Sequence, residues 1–217
     1  SGTFVSRLDP ILTENITGAE LKKAACCNLS ESFETNASVD VSYSDAVTGA
    51  KQIQLLGLAG SYVQIMSENF PSLYGLGSSY GLGYIPGSWM ESIQVSKGMG
   101  SVRNGYESIT GQVNVEFKKP VESESLYLNF YGSSSGKVEG NINSSLELSE
   151  RLSTEIFDHI ENDFTVDDHN NDGFRDEPDI SQYHLFNRWD YLTETFTFRA
   201  GIKYMEEERV GGQVAFN

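Results

Sequence analysis

The sequence predicts a small α+β domain of mixed short strands with a helix, followed by a run of antiparallel β-strands. Three observations carry this. Between Thr17 and Phe33 apolar residues recur at helical spacing. From Val39 to Phe117 short alternating segments are separated by turn residues. After Pro120 the alternation continues in longer segments, with aromatic and aliphatic residues on one side and Asn, Ser and Glu on the other.

Taken in order, residues 1–16 contain Pro10 and Asn15 and no helical period, which predicts an extended lead-in. Thr17 and Glu20 form a T-x-x-E capping box, in which each side chain satisfies an orphan amide at a helix start. Leu21, Ala24, Ala25, Leu29 and Phe33 make the apolar stripe of a helix running to about Phe33 and stopping near Asn36. Val39 to Tyr43 and Ala50 to Leu58 read as strands around a turn at Asp45 to Gly49, and Tyr62 to Met66 as a third strand. Phe70 to Trp89 has no period; Tyr74, Tyr80, Tyr84 and Trp89 alternate with glycines there.

Trp89 to Pro120 organises the rest. Ile93 and Val95 share one side of a strand, and Val113, Val115 and Phe117 form an apolar row opposite Gln112, Asn114 and Glu116. Gly98, Gly100, Gly105 and Gly111 lie between the two strands, with Tyr106 among them, and such density suits positive φ or close backbone approach. Beyond Pro120, strands are predicted at 124–132, 137–149, 152–164, 182–191 and 194–207. Segments of this kind carry the weak signature of outer-membrane barrel strands, and any half-exposed antiparallel sheet gives the same pattern.

Composition narrows the function. With 31 acidic and 15 basic side chains the formal charge is -16, which disfavours nucleic acid and anionic lipid headgroups as partners. Cys26 and Cys27 are adjacent, a spacing that strains a disulfide and lacks the further ligands of a zinc site. No run of about 18 apolar residues predicts a membrane-spanning helix. The opening Ser1-Gly2-Thr3-Phe4 carries no basic-then-apolar signal and reads as cut from a longer frame.

The order of the central pieces is specific. I-x-V-x-K-G at Ile93 to Gly98, S-V-x-N-G-Y at Ser101 to Tyr106 and I-T-G-Q-V-N-V at Ile109 to Val115 resemble the closing segment of the plug domain in TonB-dependent outer-membrane receptors. Lys51 to Leu58 (KQIQLLGL) stands where that family has a strand ending in R-G-x, and Val63 to Pro71 (VQIMSENFP) where it has V-x-I-D-G-x-P. The departures are Leu56 for Arg and Glu68-Asn69 for Asp-Gly; with Pro86-Gly87-Ser88-Trp89-Met90 they look like the branch found in Bacteroidetes-type bacteria.

The resemblance implies a lead-in at 1–16, a plug at 17–120 and the first strands of a barrel at 121–217, about a quarter of a barrel of about 22 strands. It gives Gly57, Pro71, Lys97, Gly98, Gly105, Tyr106 and Gly111 a structural role in the plug. It places Tyr74, Tyr80, Tyr84 and Trp89 in an outward loop that touches substrate, a role suited to amphipathic rings. The intact receptor would sit in the outer membrane and bind a scarce nutrient such as an iron–siderophore, haem, cobalamin or another metal complex. TonB of the inner-membrane energising complex would move the plug, through an N-terminal box not recognisable here. No organic cofactor and no catalytic residue is expected.

Asp168 to Asp179 (DHNNDGFRDEPD) also matches a twelve-residue calcium loop, with Asp168, Asn170, Asp172, the Phe174 carbonyl, Asp176 and Asp179 at the ligand positions and Gly173 at the turn. Asp in place of the final bidentate Glu, Pro178 before it and flanking strands count against calcium, and an acidic turn with Asx hydrogen bonds is the alternative. The loop and the acidity support a second function class, a secreted or surface β-rich adhesion module stiffened by calcium. A regulatory receptor with a further N-terminal signalling domain is a third. The two G-x-S-x-G matches at Gly77 and Gly132 lie in Ser/Gly turns, so hydrolysis is not indicated.

Overall fold

The computed structural model describes residues 4–6, 13–23, 28–33, 39–45, 47–58, 60–73, 77–100, 108–166 and 168–214. They fall into two compact units, Ser1–Asp45 with Ala50–Phe117, and Ala46–Gly49 with Lys118–Asn217.

The first unit holds a six-stranded sheet, ordered β1 (Phe4–Ser6), β2 (Thr13–Thr17), β7 (Met90–Lys97), β8 (Gly111–Phe117), β5 (Val63–Ser67) and β6 (Phe70–Pro71). Only β5 and β8 pair in parallel. A separate hairpin joins β3 (Asp40–Asp45) to β4 (Ala50–Gln54). The described residues also form two short helices, α1 (Gly18–Lys23) and α2 (Gly77–Tyr80), and four 3-10 turns.

Register sorts this sheet into two faces. Ile93 lies opposite Val115 and Val95 opposite Val113, and all four are fully buried. Ile16, Val63 and Ile65 extend the row, and Leu21, Leu29, Phe33, Val39, Ile53, Leu55, Leu82 and Ile85 close over it. A bulge at Glu91 shifts the parity of β7, so Met90 turns to the core opposite Phe117 while Ser92 faces away opposite Glu116.

The extended lead-in is paired where it is described: β1 and β2 join the sheet, and Ile16 opposite Ile93 completes the apolar row. Two expectations change. The described helix α1 spans Gly18–Lys23, and helix does not resume at Asn28 to Phe33. There Asn28 Oδ1 accepts from Ser30 Oγ at 2.6 Å and the Glu31 amide at 3.2 Å, starting a 3-10 turn at Glu31–Phe33. Ala24 and Ala25 lie outside the described residues, whereas Leu21, Leu29 and Phe33 are buried as their spacing predicts. The strand from Ala50 ends at Gln54, and Leu55 to Leu58 form a tight turn instead.

The second unit is an open antiparallel sheet of β9 (Tyr127–Gly132), β10 (Lys137–Ser149), β11 (Leu152–Asp163), β12 (Asp179–Leu192) and β13 (Thr197–Val210), in sequence order with β9 and β13 at its edges. Its faces are inverted relative to an ordinary sheet. Glu139, Asn141, Asn143, Glu155, His159, Glu161, Gln182, His184, Arg188 and Asp190 are buried. Leu128, Phe130, Val138, Ile142, Leu146, Ile156, Ile160, Phe198 and Ile202 are exposed on the other side. Phe157, stacked on Phe186 at 5.6 Å, is the buried apolar exception.

Because Ile93 has no exposed surface, Ile93→Ala should cost about 2–5 kcal/mol, while Ile109→Ala at a half-exposed site should cost under about 0.5 kcal/mol. Chemical denaturation midpoints of the first unit check this; equal effects at the two sites would contradict the core assignment.

Candidate functional site

The first unit's turns place its motif residues. Leu56 and Gly57 have φ of 56° and 75°, and the Leu58 amide donates to the Leu55 carbonyl at 3.1 Å. Two consecutive positive φ values make a two-residue turn that favours Gly at its second position. Glu68 and Asn69, with φ of 51° and 66°, turn β5 into β6 in the same way, so Asn stands here for the family's Gly. Pro71 ends β6 on the surface. Lys97 closes β7 opposite Gly111, and Gly98 donates to the Thr110 carbonyl at 2.8 Å. Gly111 packs so closely on the Ser96 carbonyl and Leu55 that any Cβ would collide. Gly105 and Tyr106 lie outside the described residues.

The sheet face away from the core is polar, and its side chains are joined. Gln112 Nε2 donates to Gln64 Oε1 at 2.7 Å, and Thr13 and Ser96 hydroxyls meet at 3.1 Å. Asn114 Oδ1 accepts the Asn69 amide at 2.8 Å, and its Nδ2 donates to Glu116 Oε1 at 3.0 Å and Gln94 Oε1 at 3.4 Å. Gln64 and Asn114 are buried, so this network fixes the turn at Glu68–Asn69 to the middle of the sheet. Alternation put Gln112, Asn114 and Glu116 on one side; the partners Gln64, Gln94 and Asn69 needed the register.

Of the aromatic residues expected to face substrate, Tyr74 lies outside the described residues. Tyr80 on α2 and Tyr84 in the following 3-10 turn are half-buried. Trp89 is 1% exposed. It lies in the 3-10 turn Gly87–Trp89, buried together with Gly87.

The buried face of the second unit carries two polar networks separated by the Phe157–Phe186 pair. In the first, Lys137 Nζ reaches Glu161 Oε1 at 3.0 Å, and Gln182 Nε2 donates to Glu161 Oε2 at 2.6 Å. His184 Nε2 donates to Gln182 Oε1 at 3.0 Å. His159 Nδ1 meets Asn141 Oδ1 at 2.9 Å, and Asn141 Nδ2 donates to Glu139 Oε1 at 2.7 Å. The two imidazoles meet edge to face at 5.3 Å. In the second, Arg188 Nε donates to Asp190 Oδ1 at 3.0 Å and Arg199 Nε to Asp190 Oδ2 at 3.3 Å. The histidines follow the alternation as inward residues; the remaining network members lacked any motif.

The loop between β11 and β12 is closed by its own hydrogen bonds. Asp168 accepts the amides of Asp172 and Gly173 at 3.1 and 3.0 Å, and Asn170 Oδ1 accepts the Asp172 amide at 3.1 Å. Asp176 accepts the His169 amide and ring at 2.9 and 3.1 Å. Asp179 is taken by Arg175 Nε at 3.0 Å. Among the described residues no three His, Cys, Asp or Glu are grouped where they could hold a metal ion. Arg175 and His169 take the Asp179 and Asp176 carboxylates.

Residues 9–112 match the TonB-dependent Receptor Plug Domain. Over this stretch, just under half of the chain, it is similar to a TonB-dependent receptor plug. Among solved structures, the P. aeruginosa receptor FpvA bound to a ferric pyoverdine superposes at a TM-score of 0.78 and 14% identity, over 95% of this chain and 26% of that one. The ferric enterobactin receptor PfeA from Pseudomonas aeruginosa gives 0.67 at 18%, over 93% and 34%. The E. coli K12 ferric-catecholate import receptor Fiu gives 0.70 at 14%, over 92% and 27%. The chain thus spans about a quarter to a third of the structures it matches. No curated protein matches it. At these identities the structures establish the fold: a plug followed by antiparallel strands in an open sheet.

The Asp176 carboxyl is held below its ordinary value of 3.8, first by the His169 backbone amide and then by the His169 ring. A depressed carboxyl steadies the loop above pH 3.8 and loses that contribution as pH falls through its native value. Carboxyl NMR should place the Asp176 midpoint below 3.8, with His169→Ala moving it only part of the way back because the amide remains; a native midpoint at or above 3.8 would contradict the loop geometry.

Proposed function

We propose that this chain is the plug and first wall strands of an outer-membrane receptor for active uptake of a small scarce nutrient, with ferric siderophores the best-supported class. The single observation that carries the reading is the inverted sheet that follows the plug: ionic and amide side chains buried on one face, Leu, Ile, Val and Phe exposed on the other. In water this arrangement forfeits the hydrophobic effect on every strand; against hydrocarbon it is the favourable one. Connections agree: the turns at 150–151 and 193–196 are short, and the 164–178 loop at the opposite end is long, as periplasmic turns and extracellular loops are in outer-membrane barrels. The ligand class rests on the receptors that share the fold, whose structures hold pyoverdine and enterobactin.

The physical account of opening is that the plug's polar sheet face can trade side-chain partners for water at small net cost. TonB supplies the pull in this reading, and the aromatic segment around Tyr80 and Tyr84 contacts the ligand. The branch assignment rests on Leu56, Glu68-Asn69 and the Pro86–Met90 motif.

Expression of the full reading frame in a strain lacking its own copy should restore uptake of radiolabelled iron from one of a panel of ferric pyoverdine, catecholate and hydroxamate complexes. Deleting TonB should abolish that uptake. Uptake that survives without TonB would contradict the mechanism, and no uptake from any complex would move the ligand class to haem, cobalamin or another metal complex.

For Asp168–Asp179 we propose a hydrogen-bonded surface loop, since a cation there would have to displace Arg175 from Asp179 and His169 from Asp176. Millimolar calcium should leave the melting temperature unchanged. A rise of several degrees would restore the calcium loop and, with it, the adhesion-module reading.

A further inference from the structure

The chain leaving the plug does not behave as a free linker. Lys118 to Ser125 follows β8 directly, and several of its contacts tie it to the strands of the second unit. Arg188 Nη1 donates to the Lys118 carbonyl at 3.2 Å. Lys118 Nζ stands over the Tyr127 ring at 4.4 Å. The Lys119 carbonyl accepts the amides of Glu122 and Ser123 at 2.9 and 3.0 Å and Ser123 Oγ at 2.9 Å, closing a turn around the buried Pro120. Ser123 Oγ also stands 2.9 Å from Glu155 Oε2, so its one proton is shared between that carboxylate and the Lys119 carbonyl. Ser145 donates through its amide to Ser125 at 3.3 Å and through Oγ to the Glu124 carbonyl at 3.0 Å, and Ser144 Oγ donates to the Ser125 carbonyl at 3.1 Å.

The clamp is built from buried groups. Arg188, Asp190 and Glu155 are 2%, 1% and 1% exposed. Arg188 can serve the Lys118 carbonyl because Asp190 holds its Nε, and Arg199 holds the other oxygen of Asp190. A guanidinium presents several donors in a fixed plane, so one side chain satisfies the buried carboxylate and the backbone carbonyl at once. Lysine has no such fork.

We propose that Lys118 to Ser125 is an anchored part of the barrel wall, with Arg188 as its positioning residue, and that the boundary between the parts that move apart during transport is the Phe117–Lys118 peptide. The proposal rests on the receptor reading for the idea that plug and wall separate. It predicts that displacement of the plug stops at Phe117 and leaves the plug tethered.

Hydrogen exchange on the full-length receptor in outer-membrane vesicles tests this without any ligand. Under rising denaturant, the amides of Glu122, Ser123 and Ser145 should stay protected at concentrations that release those of β7 and β8. Arg188→Ala, and separately Ser123→Ala, should speed exchange at 119–125 at least about tenfold while the β10–β11 ladder is unchanged, and Arg188→Lys should not restore protection. Exchange of 119–125 together with β8 in the unaltered receptor would overturn the anchor. Loss of protection spreading through β10 to β12 in both variants would overturn the positioning role, leaving only a general structural one. A chain that does not enter the outer membrane would instead refute the receptor reading.

Discussion

The structure depends on a constraint set by the strand itself: successive side chains point to opposite faces, so each face must meet a medium that suits it. In the first unit the apolar face meets other apolar side chains, and Ile93, Val95, Val113 and Val115 lose all contact with water. In the second the apolar face is the exposed one. Charged groups on its other face are tolerated only because they are matched: Glu161 with Lys137 and Gln182, Asp190 with Arg188 and Arg199, Glu155 with Ser123. Removing one member would strand the rest, which gives the two networks more structural weight than their net energies suggest.

The same constraint gives the plug a division of labour. Its core is a close-packed apolar layer that resists partial rearrangement. The opposite face of its sheet is a ladder of Gln, Asn, Ser and Thr, joined by hydrogen bonds that water can replace. Under the proposed function the two faces would divide the work, one keeping the domain folded and the other exchanging polar partners. The Phe117–Lys118 boundary extends this logic along the chain, since the residues on its two sides are held by different kinds of contact.

Much of this was legible because period-two alternation survives in the sequence. All five strands after Pro120 were placed within three residues at each end, and the short turn at 150–151 fell between two of them as expected. β12 begins at Asp179 rather than 182, because Asp179 to Ser181 gain partners at Glu208 to Val210 that no local pattern announces. Non-local pairing also explains why the extended lead-in was not assigned a partner: Thr13–Thr17 has no strong alternation, and its ladder with Ser92 to Ser96 makes it a strand. Local polar chemistry overrode helical spacing at Asn28, where the side chain starts a 3-10 turn rather than helix. For the site, spacing identified the turns at Leu56–Gly57 and Glu68–Asn69 but could not tell which way Trp89 would point, nor that Arg175 and His169 would claim two carboxylates of the acidic loop.

The most direct test of the central claim is the environment of the wall strands in the full-length receptor. Single cysteines along β11 and β12, carrying a fluorophore, can be probed with a quencher confined to the lipid phase. Positions Ile156, Ile160 and Leu185 should be quenched, and His159, Glu161 and His184 should not, giving a period of two along each strand. Uniform quenching, or quenching only by a water-soluble agent at the apolar positions, would show that the exposed face meets water and that this sheet is not the wall of a membrane barrel.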